Sequence, residues 1–112
     1  MMVPALQRLR DLLLPVLQKY HIRKAIVFGS FARGEATRRS DIDLILIQET
    51  DKRFFDRYDG LLYELNLVAD HPVEALIYTP EELLSIAHRP FIETALREGK
   101  VIYEQEQESL RV

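Results

Sequence analysis

The 112-residue chain contains no cysteine, which excludes a disulfide scaffold and any cysteine-ligated zinc site. Glycine and proline are scarce, at four and five, so neither a collagen-like nor a low-complexity chain fits. No apolar run reaches the roughly 18 residues that a membrane-crossing helix needs. The opening MMVPALQRLRD sets charges where a secretion signal requires an apolar core. The expectation is a cytoplasmic protein with no membrane contact. There is no block of lysine or arginine either. Acidic side chains outnumber basic ones by 18 to 15, for a formal charge of −3, which argues against strong nucleic-acid binding through phosphates. Repeats and Gly/Ser linkers are absent. What remains is a globular composition of the commonest domain size. The expected organisation is one domain over 1–103 followed by a polar tail, 104–112.

Leu6, Leu9, Leu13, Val16, Leu17 and Tyr20 recur at helical spacing and predict an amphipathic first helix. Pro15 falls inside it, and a proline in a helix interior costs about 3 kcal/mol, so a kink or two short helices are expected. Lys24 to Phe28 reads as a buried strand that stops at Gly29-Ser30. From Asp41 to Ile47 a second strand sends Ile42, Leu44 and Leu46 to one face and Asp41, Asp43, Ile45 and Ile47 to the other. Both faces are mostly apolar, as in a strand covered on both sides. Between Asp51 and Ala69 the spacing of Phe54, Tyr58, Leu61, Leu65 and Val68 predicts a single helix. Val73 to Tyr78 reads as a third strand. Thr79-Pro80-Glu81-Glu82 has the N-cap threonine, first-turn proline and capping-box glutamate of a helix start. After Pro90 a last helix, Phe91 to Glu98, is closed by Gly99, and Val101 to Tyr103 suits an edge strand. This alternation predicts an α/β fold, a small mixed sheet flanked by helices.

Asp41 and Asp43 are two apart on a strand, so both carboxylates leave the same face. At about 5 Å and an effective dielectric of about 20 their repulsion is roughly 3 kcal/mol, a cost that a divalent cation removes. Mg²⁺ takes carboxylate and phosphate oxygens together, which makes an Asp pair beside a phosphate cradle a phosphoryl- or nucleotidyl-transfer constellation. Gly29-Ser30 offers such a cradle: a backbone free to turn, open N–H groups at the start of a short helix, and a hydroxyl. The chain contains neither a P-loop nor a dinucleotide fingerprint. His21, His71 and His88 lack metal-ligand spacing and are read as structural, and the phenylalanines and tyrosines mostly as core packing.

Ten residues separate Ser30 from Asp41, and the whole stretch GSFARGEATRRSDIDLILI resembles the signature of the polymerase beta-like nucleotidyltransferases, most closely their minimal nucleotidyltransferase (MNT) members. Gly29, Ser30, Ala32, Arg33, Gly34, Ser40, Asp41, Asp43 and Leu44 fit its Gly-Ser-x-Ala-Arg-Gly and Ser-Asp-x-Asp-Leu pattern. The motif spans about a sixth of the chain, and the element order extends the resemblance over most of the rest. It implies the polymerase beta-like fold, a third carboxylate at Glu74, and two Mg²⁺ ions on Asp41, Asp43 and Glu74, which are then the catalytic residues. It also implies nucleotide contacts from Gly29, Ser30, Arg33 and Ser40; Arg38 and Arg39 are read as solvated. The implied reaction moves AMP from ATP to a hydroxyl. Larger relatives carry a further helical region that presents the acceptor. None is expected here, so the acceptor would be a protein or come from another subunit. By the same resemblance the partner is a HEPN-domain toxin, adenylylated on a tyrosine, with this chain as antitoxin. The alternatives are a binding module that neutralises by contact alone, or transfer to a small molecule such as an aminoglycoside. Self-association stays open.

Overall fold

The computed structural model describes residues 2–105. Helix α1 (Pro4–Lys19) is followed by β1 (Lys24–Phe28), a one-turn helix α2 (Ser30–Arg33) and β2 (Ile42–Ile47). A 3-10 turn (Phe54–Tyr58) leads into α3 (Leu61–Val68), β3 (Val73–Tyr78), α4 (Pro80–Ile86), α5 (Pro90–Glu98) and β4 (Lys100–Glu104). The strands form one mixed sheet in the order β3-β2-β1-β4. β1 is antiparallel to both β2 and β4, and β2 is parallel to β3. Of the expected tail, Glu104 belongs to β4 and Gln105 donates its N–H to the Arg23 carbonyl at 2.7 Å; residues 106–112 lie outside the described residues.

The alternation in β2 divides the interior in two. Ile42, Leu44 and Leu46 join Leu6, Leu9, Leu13 and Leu17 of α1 and Leu61 and Leu65 of α3 in the main core. Ile45 faces the other way, into a smaller cluster with Ile26 and Ala95 that α5 covers. The apolar pattern therefore needs helices on both faces, as expected for a doubly covered strand. At the N-terminal end of β2 the α5 side changes from Ile45 to Asp43, and there the carboxylates gather.

Three expectations need correction. Pro15 does not divide α1, which runs unbroken from Pro4 to Lys19. Its ring lies on the exposed side, while Leu13, Val16 and Leu17 beside it are buried and hold the helix to the core. The single helix expected over 51–69 is two pieces, separated at Gly60, whose φ is +80°. There a Cβ would stand 2.6 Å from the Tyr20 hydroxyl, so Gly60 allows both the turn and the close approach. The 3-10 piece is held by Arg57, whose buried guanidinium donates to the carbonyls of Lys52 and Ile77 and, through both terminal nitrogens, to Glu82 at 2.6 and 2.9 Å. Gly99 does follow α5, but its backbone is extended rather than left-handed. A side chain there would meet the Ala95 carbonyl at 2.5 Å and Ile26 at 2.6 Å, so it is required for close packing of the helix end on β1. The Thr79 capping box forms as read, with the Glu82 N–H on the Thr79 hydroxyl at 3.2 Å and the Thr79 N–H on the Glu82 carboxylate at 2.9 Å.

Candidate active site

β1 ends at Phe28, and Gly29 then takes φ +73° to swing the chain into α2. A Cβ on Gly29 would lie 2.6 Å from Oδ2 of Asp43, so the Asp43 carboxylate rests directly against the loop backbone. Phe28 and Asp43 are partners across β1 and β2, which puts the end of the loop and the acid side by side. The Gly29 carbonyl accepts from the N–H groups of Ala32 and Arg33, both at 3.1 Å. The N–H groups that open a helix, here those of Ser30 and Phe31, have no partner within it.

Glu74 is the register partner of Asp43 on the neighbouring parallel strand, so the two side chains share a face. Glu74 is exposed on the edge strand β3, and Asp41 is exposed just ahead of β2, whose first residue is Ile42. The charges interact. Burial raises the Asp43 carboxyl above the ordinary aspartate value, the Asp41 charge raises it further, and the Arg33 guanidinium opposes both. A hydrogen bond with Asp41 raises the Glu74 carboxyl, and the charges of Asp41 and Asp43 add to it. Three acids therefore crowd one edge, and two of them, Asp43 and Glu74, hold their protons more tightly than usual. Among the described residues no three acidic or histidine side chains close around a point as a finished metal cage. The carboxylates are neighbours on an open edge, and their hard oxygens suit a hard cation shared with phosphate.

The other sequence-read residues divide. Arg33 is tied to Glu35 at 2.9 Å and reaches Glu98 at 3.7 Å, so it joins α2 to the end of α5. The Ser40 hydroxyl accepts the Thr37 N–H at 2.8 Å and is engaged in folding its own loop. Arg38 and Arg39 are exposed on that loop. His71 has a use its sequence context did not reveal. Its Nδ1 lies 3.0 Å from the Ser40 carbonyl, and its ring meets Phe31 edge-on at 5.0 Å. It thereby joins the loop before Asp41 to the helix after Gly29. Phe91 is the second residue missed. Most phenylalanines were expected to pack in the core, yet Phe91 is 59% exposed at the start of α5 and packs edge-on to Phe28 at 5.8 Å. The available signal was its place directly after a helix-opening proline, ahead of the buried Ile92 and Ala95.

The chain as a whole has known relatives. The family model for polymerase beta nucleotidyltransferases matches residues 12–108. A candidate protein adenylyltransferase of Methanocaldococcus jannaschii is 34% identical over 82 residues, covering 73% of this chain and 79% of the relative. A second from the same organism is 30% identical over 84 residues, covering 74% and 78%. Among solved structures, a toxin-antitoxin with AMP-PNP superposes with a TM-score of 0.66 at 19% identity, over 91% of this chain and 78% of that one. A chain from the complex of tri-AMPylated Shewanella oneidensis HEPN toxin with MNT antitoxin does so with a TM-score of 0.60 at 17% identity, over 95% and 78%. The chain belongs to the polymerase beta nucleotidyltransferase family and is a nucleotidyltransferase.

Proposed function

We propose that this chain is a Mg²⁺-dependent protein adenylyltransferase that moves AMP from ATP to a tyrosine hydroxyl of a HEPN-domain partner and acts as its antitoxin. The observation that carries the reading is the contact between Asp43 and the Gly29 backbone, which makes the phosphate-binding loop and the acidic edge one continuous surface. The relatives' names point to protein acceptors, and the superposing complexes pair this fold with a toxin.

In this reading the terminal phosphates of ATP lie against the N–H groups and hydroxyl at Gly29-Ser30, with Arg33 at their flank. Asp41, Asp43 and Glu74 would hold Mg²⁺, which supplies charge neutralisation on the phosphates and acidifies the acceptor hydroxyl. The acceptor oxygen bonds to the α-phosphorus and loses its proton to solvent. The bond from that phosphorus to the bridging oxygen breaks, and pyrophosphate leaves with the electron pair. The acids orient the reacting groups and Gly29 keeps them close, which is where the rate gain from positioning arises.

ATP labelled at the α-phosphate distinguishes this from phosphorylation. The partner should acquire α-label with release of pyrophosphate, and none from ATP labelled at the γ-phosphate. A partner that is neutralised with no label from either nucleotide would favour neutralisation by contact.

A further inference from the structure

Between α5 and the acidic edge lies a cavity of about 320 Å³, lined by Phe28, Asp43, Leu44, Glu74, Ala75, Leu76 and Phe91. We propose that it seats the aromatic ring of the acceptor, so that Phe91 and Phe28 select a phenol, the side chain of tyrosine, as the group to be modified. The proposal rests on the adenylyltransferase reading above and adds where the acceptor binds and what chooses it.

Position is the first argument. The loop Gly29-Ser30 leaves the sheet from β1, Asp43 stands on β2, and Glu74 stands on β3, in that order across the sheet. In an in-line displacement the attacking and leaving oxygens lie on opposite sides of the phosphorus. With the departing pyrophosphate at the β1 side, the attacking hydroxyl comes from the β3 side. The cavity runs across all three strands, from Phe28 on β1 to Glu74 and Leu76 on β3, so its β3 end opens on that side.

Chemistry is the second. The lining has two acids, Asp43 and Glu74, against apolar side chains from β1, β3 and α5. A group with a flat apolar body and one polar tip matches it, and tyrosine is such a group. A sugar would press its hydroxyls on Phe28, Leu76 and Phe91 and lose their hydrogen bonds to water. A serine would leave the aromatic wall unfilled. At about 320 Å³ the space stands near the lower bound of about 300 Å³ for small-molecule pockets, ample for one ring and tight for a whole nucleoside.

The aromatic pair is the third. Phe91 is 59% exposed, yet its ring is fixed edge-on to Phe28, with centroids 5.8 Å apart at 84°. Rings in such an arrangement accept a further ring in offset or edge-on contact. The site is thus preorganised, and the acceptor supplies the apolar cover.

N-acetyl-tyrosinamide titrated into the ¹⁵N-labelled protein with Mg²⁺ and a non-hydrolysable ATP analogue should shift the amides around Leu76 and Phe91. N-acetyl-serinamide should not. This readout needs no turnover, so it decides the seat even if no partner is ever adenylylated; failure to modify any protein counts against the function, not the seat. In transfer to the partner, Phe91→Ala should raise the acceptor KM about tenfold or more, with ATP affinity held, and Phe91→Tyr should restore it. Absence of tyrosinamide shifts would overturn the proposal. So would a Phe91→Ala variant that loses ATP affinity instead, which would give the cavity to adenine, or modification of the partner on serine.

Discussion

Gly29 illustrates how one missing methyl group sets a site. Its φ of +73° lies where a side chain is strained, and its absent Cβ occupies the space taken by the Asp43 carboxylate. Gly29→Ala should therefore cost about 1–2 kcal/mol in stability, readable as a lowered denaturation midpoint, and should remove transfer altogether because Asp43 must move. Asp43 itself behaves in the opposite sense. Burial and the Asp41 charge raise its carboxyl, so the folded chain binds this proton at a higher pH than the unfolded chain does. Its contribution to stability falls as pH rises from the ordinary aspartate value through the raised one, and above that the full penalty applies. Without Mg²⁺ at neutral pH, Asp43→Asn should melt at the wild-type temperature or higher while losing transfer. A clear drop in apo melting temperature with activity retained would assign Asp43 to the scaffold instead.

At the scale of elements, strand β2 was readable because its side-chain period is two and each face has its own destination. The start of α4 was readable because Thr79 and Glu82 satisfy each other locally. The 51–69 segment was misread because a 3-10 turn and the helix after it keep nearly the same apolar spacing. What separates them is Gly60 against Tyr20 and Arg57 against Glu82, contacts between residues far apart in sequence. Of the candidate site residues, Asp41 and Asp43 are proposed from their spacing, Glu74 from family resemblance, and Phe91 from its place beside the acids in the fold. The Arg57–Glu82 pair also makes a pH prediction. Arg57, with a second contribution from the Thr79 N–H, holds the Glu82 carboxyl down to about 2. The stability it contributes is full above the ordinary glutamate value and is lost as pH falls from there toward about 2. Glu82 is 44% exposed, so Glu82→Gln should cost on the order of 1–2 kcal/mol at neutral pH, less than a fully buried pair. Urea melts across pH should show wild type and variant converging near the acid limit.

Taken as a whole, the molecule spends its two helical layers on holding a four-stranded sheet, and its acids stand at one open end of that sheet. In the proposed reaction a bound partner would deliver the acceptor hydroxyl to the cavity beside these acids, where positioning supplies the rate gain. The most direct test is the intact mass of a cognate HEPN-domain partner after incubation with this protein, ATP and Mg²⁺, with Asp43→Asn in parallel. The account predicts a partner heavier by AMP on tyrosine with wild type and unchanged with Asp43→Asn. A partner of unaltered mass that wild type and Asp43→Asn neutralise equally well would contradict it.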